Sequence, residues 1–228
     1  MNKKSILLAV TASALAITTL PSLADASHRA QAIALFKTDF QPRGQASLDR
    51  LDEDGVQAIC NRTGNKPPES IAKRLEADQM AGVKYPADGV LIGDWQLGEK
   101  LAQDGKGFTW TDNPGLPVGG NCYNCHQIAP HEIAFGTVGP SLFNFGKLRG
   151  NGADMQKYVY SKIYNSKSYN LCTEMPRFGH IGALKPEQIK HLVALLLDPE
   201  SPVNKQRFRV AGRGCRHRGC RHHSTPRQ

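Results

Sequence analysis

A mainly α-helical fold is predicted, and three observations predict it. Apolar residues recur at helical spacing in several separate segments, prolines and glycines interrupt the chain between them, and two of these segments bracket a Cys-x-x-Cys-His motif at Cys122–His126. The elements follow in chain order.

Lys3 and Lys4 precede an apolar run from Ile6 to Leu20 and then Pro21-Ser-Leu-Ala-Asp-Ala. This is the order of a secretory leader, with small residues suited to cleavage after Ala24 or after Ala26; the run is short for a membrane span. The leader is assigned to residues 1–24, and no membrane span is expected after its removal. The remaining 204 residues suffice for one domain of about 100 residues with an extension around it. The net charge of +9 invites a nucleic-acid reading until it is located. The two leader lysines and seven arginines between Arg207 and Gln228, with no acid among them, account for all of it. The body is therefore neutral, and its charge gives no reason to expect a nucleic-acid partner.

Residues 25–92 form an N-terminal extension. Leu48, Leu51, Val56 and Ile59 predict a helix over Ser47–Ile59, and a second is expected over Glu69–Met80 after Pro67-Pro68. Gly93–Asp104 reads as a short helix capped by Asp94, with Leu97 and Leu101 on one face. Gly98 inside it weakens a helix by about 1 kcal/mol against alanine, which suggests a close helix contact there; a tolerated surface glycine is the alternative. Gly105–Gly120, rich in Gly and Pro, is a loop. A helix is expected over Asp154–Tyr164. Pro186–Asp198 has proline in its first turn and Ile189, Leu192, Val193, Leu196 and Leu197 at helical spacing, ending at Asp198-Pro199.

The motif between the bracketing helices, Asn121-Cys-Tyr-Asn-Cys-His-Gln, has the form of a c-type haem attachment site. Thiols at this spacing can each form a thioether bond to a haem vinyl group, a role for Cys122 and Cys125. His126 is carried beneath the porphyrin as the proximal iron ligand. Two other chemistries use the same residues. A redox dithiol needs the Cys pair at the end of a strand, and Val118-Gly-Gly-Asn ahead of Cys122 reads as a loop. A zinc site would take Cys122, Cys125, His126 and His131, with His126 crowded against Cys125.

Met175, in the loop Glu174-Met-Pro-Arg-Phe-Gly, lies 49 residues after His126 and just ahead of the last helix. It is the expected sixth iron ligand. Pro176 holds the backbone extended there, and a soft thioether favours ferrous iron. Met80 and Met155 fall at helical spacing and read as packing; His131 and His180 read as surface histidines. Beyond the haem pair, Cys60 and Cys172 are a candidate disulfide, since free thiols are the exception in exported proteins; two buried free thiols are the alternative. The tail, residues 205–228, repeats Arg-Gly-Cys-Arg-His and is too polar to build a core, so it is expected to be disordered.

An early helix and a late helix with the haem loop between them resemble class I cytochromes c. In that family a proline corresponding to Pro140, in Gly139-Pro-Ser-Leu, accepts the proton on the other nitrogen of the proximal histidine through its carbonyl. A Gly-Pro turn without that role is the alternative. Over roughly residues 44–204 the chain resembles SoxX, the monohaem subunit of the SoxAX cytochromes of sulfur-oxidising bacteria. The resemblance rests on Tyr85-Pro-Ala-Asp-Gly, Gly93-Asp-Trp, Gly119-Gly-Asn-Cys-Tyr-Asn-Cys-His-Gln, Gly139-Pro-Ser-Leu, Gly146-Lys-Leu-Arg-Gly, Lys162-Ile-Tyr-Asn, Met175-Pro-Arg-Phe-Gly-His and Leu197-Asp-Pro-Glu-Ser-Pro-Val-Asn. The basic tail departs from the family pattern.

The resemblance implies a class I cytochrome c domain over residues 93–204, carrying one covalent haem c with His126 and Met175 on iron. It further implies a periplasmic heterodimer with a SoxA-type cytochrome, which holds the site where thiosulfate is joined oxidatively to a cysteine of the SoxYZ carrier. This chain would then be a non-catalytic subunit that accepts the electrons and passes them to a soluble cytochrome. A free-standing electron carrier is the alternative. A haem sensor or peroxidase would need an open sixth position.

Overall fold

Helix after helix, without a strand among the described residues, the chain follows the predicted class. The computed structural model describes residues 23–205. Most of the predicted leader and the tail after residue 205 lie outside the described residues.

The chain divides after Pro42. The first unit contributes α1, Leu23–Asp39, an alanine-rich helix that the sequence reading did not anticipate. Alanine is the strongest helix former, but the apolar residues of α1 do not keep to one narrow stripe: Leu35 lies nearly opposite Ile33 around the helix, which weakens the periodic signal.

The second unit begins at Arg43 and holds the remaining elements. The single helix expected over Ser47–Ile59 is two pieces, a 3-10 turn at Leu48–Leu51 and α2 at Gly55–Arg62. Asp54 is the reason. Its carboxylate accepts the Gln57 amide at 2.8 Å while its own amide donates to the Gln57 side chain at 2.9 Å. That reciprocal cap requires extended backbone at Asp54, so no helix can run through it. After α2, Gly64 and Asn65 take left-handed conformations, and α3 runs over Glu69–Ala81.

The last helices build the main core. α4 spans Trp95–Gln103, α5 Phe145–Arg149, α6 Ala153–Tyr164 and α7 Pro186–Leu197. α7 is buried on nearly every side, and α4, α5 and α6 all pack on it. The buried face of α4 is shifted from the expected one: Gly98 and Ala102 are buried and Leu101 packs on the main core, whereas Leu97 is 43% exposed. The smallest side chains face the crossing because the backbones nearly touch. A Cβ on Gly98 would stand 2.1 Å from the His191 carbonyl oxygen. The amides of Gly93 and Asp94 donate to the Lys190 carbonyl at 3.0 Å and to His191 Nδ1 at 2.9 Å, fixing the start of α4 on α7.

Gly98→Ala is therefore expected to force the two backbones apart and to destabilise the protein by roughly 1–3 kcal/mol. Thermal unfolding reads this as a fall of about 2–4 °C per kcal/mol, and an unchanged midpoint contradicts the close crossing.

A second, smaller core of Val56, Cys60 and Leu171, flanked by Ala72, Leu75 and Cys172, joins α2 and α3 to the chain after α6. No helix among the described residues is long and apolar enough to cross a membrane.

Candidate functional site

The stretch around Cys122 is tied to the end of α4. The Gly120 amide donates to the Leu101 carbonyl at 2.7 Å, and that of Asn121 to the Asp104 carbonyl at 2.9 Å. Asn121 then takes a left-handed conformation, which asparagine tolerates better than most residues, and turns the chain into a 3-10 turn over Cys122–Asn124. The Cys122 carbonyl accepts the amides of both Cys125, at 3.1 Å, and His126, at 2.9 Å. The two cysteines and the histidine are thereby held in one tight turn.

Both cysteines are free thiols. Burial pushes the Cys122 thiol up to about 12, so at neutral pH it is protonated. An active redox dithiol needs the opposite shift, and among the described residues no strand precedes the motif, so neither requirement of the dithiol alternative is met there.

His126 is held from behind. Its Nδ1 lies 2.7 Å from the Pro140 carbonyl oxygen. A carbonyl can only accept, so Nδ1 carries the proton and Nε2 keeps its lone pair for a metal. The ring lies against Gly139, where a Cβ would meet His126 Cε1 at 2.2 Å. The Gly139 amide donates to the Cys125 carbonyl at 2.8 Å and the Gly136 amide to the Tyr123 carbonyl at 2.7 Å, closing this segment over the motif.

The zinc alternative finds no support. Among the described residues no three His, Cys, Asp or Glu side chains converge as a metal site. His131 instead faces Glu132 at 3.5 Å and Glu99 at 3.7 Å.

Met175 stands in a separate loop after α6, partly buried and packed on the same main core as Cys122. Cys60 and Cys172 are joined by a disulfide with 5.4 Å between their Cα atoms, tying α2 to this loop three residues before Met175. The Leu171 amide donates to the Glu76 carboxylate of α3 at 2.9 Å. The amides of Gly179 and His180 both donate to the Tyr164 carbonyl at 3.0 Å. Beneath the loop lies a cavity of about 290 Å³ whose lining includes Met175, Arg177, Lys167 and the disulfide. Met80 and Met155 are partly buried against the main core, as packing residues would be, and His180 is exposed.

Arg177 ion-pairs with Asp54, the cap of α2. Burial pushes the Asp54 carboxyl up, but the Gln57 amide and the Arg177 guanidinium outweigh it and hold it below its ordinary 3.8. A carboxyl lowered on folding contributes stability above its unfolded value and loses it as pH falls through the folded one. Urea unfolding between pH 5 and pH 2 should thus show a shallower acid loss in Asp54→Asn than in the wild type; parallel profiles contradict the linkage.

Gly139, Asp54 and the polar side chains beneath the Met175 loop were not singled out as site residues from sequence. Only Gly139 had a signal, its place directly before Pro140.

No family model matches the chain. It is 41% identical over 155 residues, 67% of its own length and 73% of the relative's, to an uncharacterized lipoprotein of Aquifex aeolicus (strain VF5). On that identity and coverage, the chain belongs to the same family as this lipoprotein.

Proposed function

We propose that this chain is an electron-transfer c-type cytochrome, the SoxX-like subunit of a complex in which a SoxA-type partner couples thiosulfate to a cysteine of the SoxYZ carrier. One observation carries the reading: two free thiols and a histidine are held in one tight turn, with the Cys125 and His126 amides both on the Cys122 carbonyl, and the histidine's far nitrogen is fixed on the Pro140 carbonyl. That donor set fits haem c. An iron already held by four porphyrin nitrogens asks the protein for only two more donors, so a cluster of three protein ligands is not needed.

In this reading Cys122 and Cys125 tether the porphyrin through thioethers and His126 Nε2 takes the proximal position. The Pro140 carbonyl fixes the imidazole's orientation and raises its basicity. Gly139 leaves room for the ring to lie flat. The Met175 thioether would be the second protein donor to the iron and, being soft, would favour the reduced state. Haem c supplies a one-electron centre when bound. With His126 and Met175 both given to the iron, this chain would offer no open iron site, and the proposal assigns the thiosulfate chemistry to the partner and electron transfer to this subunit. The domain is accordingly read as a class I cytochrome c, delivering electrons to a soluble cytochrome.

The lipoprotein relative and the predicted leader both support a location outside the cytoplasm, and the periplasm is the proposed compartment.

The test is expression in a host that attaches haem c, alone and together with a SoxA-type cytochrome. The expected result is a haem-staining band that survives denaturing electrophoresis, co-purification of the two chains, and haem reduction that depends on thiosulfate, SoxYZ and the partner. Absence of covalent haem overturns the cytochrome reading. Covalent haem without co-purification or thiosulfate-dependent reduction leaves an electron carrier and overturns the SoxX-like role.

A further inference from the structure

We propose that the short turn Ser166–Ser168 is a positioning clamp that sets the backbone of Met175 from inside the protein, with Ser166 and Lys167 as its working residues. The inference rests on the reading of Met175 as an iron ligand and adds the residues that place it.

The Ser166 hydroxyl, fully buried, donates to the Met175 carbonyl. The Met175 amide donates to Thr173 Oγ1 at 3.3 Å, so both backbone polar groups of the methionine are held by side-chain hydroxyls rather than by a helix or strand. Lys167, only 8% exposed, donates from Nζ to the Leu171 carbonyl at 2.9 Å and to the Thr173 carbonyl at 3.3 Å, on either side of Cys172. The turn is itself anchored: the buried Asn165 caps it through the Lys167 amide at 3.3 Å and reaches the Gln79 side chain of α3 at 3.0 Å.

A burial this deep needs a reason. Among the described residues Lys167 makes no close ion pair; Glu174 and Asp54 attract its ammonium from farther away, and Arg177 repels it. A buried ammonium without a close counter-ion is unfavourable unless strong hydrogen bonds satisfy it, and an apolar side chain of similar length would fill the space without that penalty. What the ammonium supplies and an apolar chain cannot is direction, two charge-assisted hydrogen bonds to carbonyls in the short stretch ahead of Met175. The disulfide limits how far the loop can move; the clamp determines which way Met175 faces. Ligand geometry in a metal site depends on such supporting contacts.

The test uses the full, haem-loaded chain carrying Ser166→Ala, Ser166→Thr or Lys167→Met, with Met175→Ala alongside. Three readouts are taken: the weak sulfur-to-iron band at the red end of the ferric spectrum, carbon monoxide binding to the reduced protein, and amide hydrogen exchange across residues 171–176. Ser166→Ala and Lys167→Met are expected to lose at least half of the band, to bind carbon monoxide at least tenfold faster and to exchange the Met175 amide at least tenfold faster. Ser166→Thr, which keeps the hydroxyl, restores all three.

A folded Ser166→Ala protein with wild-type band, carbon monoxide binding and exchange overturns the clamp. Reduced thermal stability with an intact band overturns it as well, because the turn would then be a structural support only. If Lys167→Met does not fold, Ser166→Ala and its threonine rescue decide the matter. If Met175→Ala leaves the spectrum unchanged, Met175 is not the ligand and that reading falls; hydrogen exchange at Met175 still reports separately whether Ser166 and Lys167 hold the loop.

Discussion

Met175→Ala, in the haem-loaded protein, is expected to abolish the sulfur-to-iron band, open the sixth position to carbon monoxide, and lower the reduction potential. The direction follows from the thioether: as a soft donor it stabilises ferrous iron, and its removal leaves water or another hard donor, which favours ferric iron. The size follows from what stays in place. His126 remains held by Pro140 at 2.7 Å, and on the proposed reading Cys122 and Cys125 would still anchor the porphyrin, so the change would be confined to one iron ligand and would leave haem retention intact. Covalent haem content, read on a denaturing gel, should equal that of the wild type. An unaltered ferric spectrum eliminates Met175 and turns attention to Met80 and Met155, which pack on the same core.

Opening the Cys60–Cys172 disulfide by Cys172→Ala is expected to give the second large effect. The bridge closes a loop spanning 112 residues. A cross-link over about 100 residues is worth about 4.7 kcal/mol in the chain-entropy treatment, and native disulfides removed from small exported domains commonly cost about 2–5 kcal/mol. That is a large fraction of the ~5–15 kcal/mol by which a domain is usually stable. The smaller core around Val56, Cys60 and Leu171 should loosen first, because the bridge lies within it, while the α4–α7 core is untouched. Denaturant titration with probes in both regions tests this. The variant should lose protection around α2 and residues 171–176 well before α7, and a single coincident transition at the wild-type midpoint contradicts it.

The two effects differ in what sequence could foresee. Cys122, Cys125 and His126 are readable as a unit because their geometry is local: the amides of Cys125 and His126 close one turn on the Cys122 carbonyl. The helices at 69–81, 153–164 and 186–197 were readable for the same reason, each within a residue of its expected bounds. Periodicity failed where a local contact competed with it. Asp54 ended one helix and began another by capping, although the apolar spacing from Leu48 to Ile59 ran straight through it. It failed also in α4, where Leu97 satisfied the pattern and yet faces solvent, because Gly98 and Ala102 allow the backbone approach to α7 that a leucine would block.

Lys167 had no signal at all. A lysine between two serines reads as surface, and only the folded chain gathers the Leu171 and Thr173 carbonyls around its ammonium. The sequence by itself determined the helical class and supplied the Cys-x-x-Cys-His motif on which the proposed haem site rests, since each depends on spacing along the chain. The tertiary structure alone decided that Ala102 joins Gly98 at the helix crossing, that Asp54 pairs with Arg177, and that Ser166 and Lys167 hold the Met175 loop. Those contacts join residues far apart in the chain, and no local pattern encodes a partner that arrives only on folding.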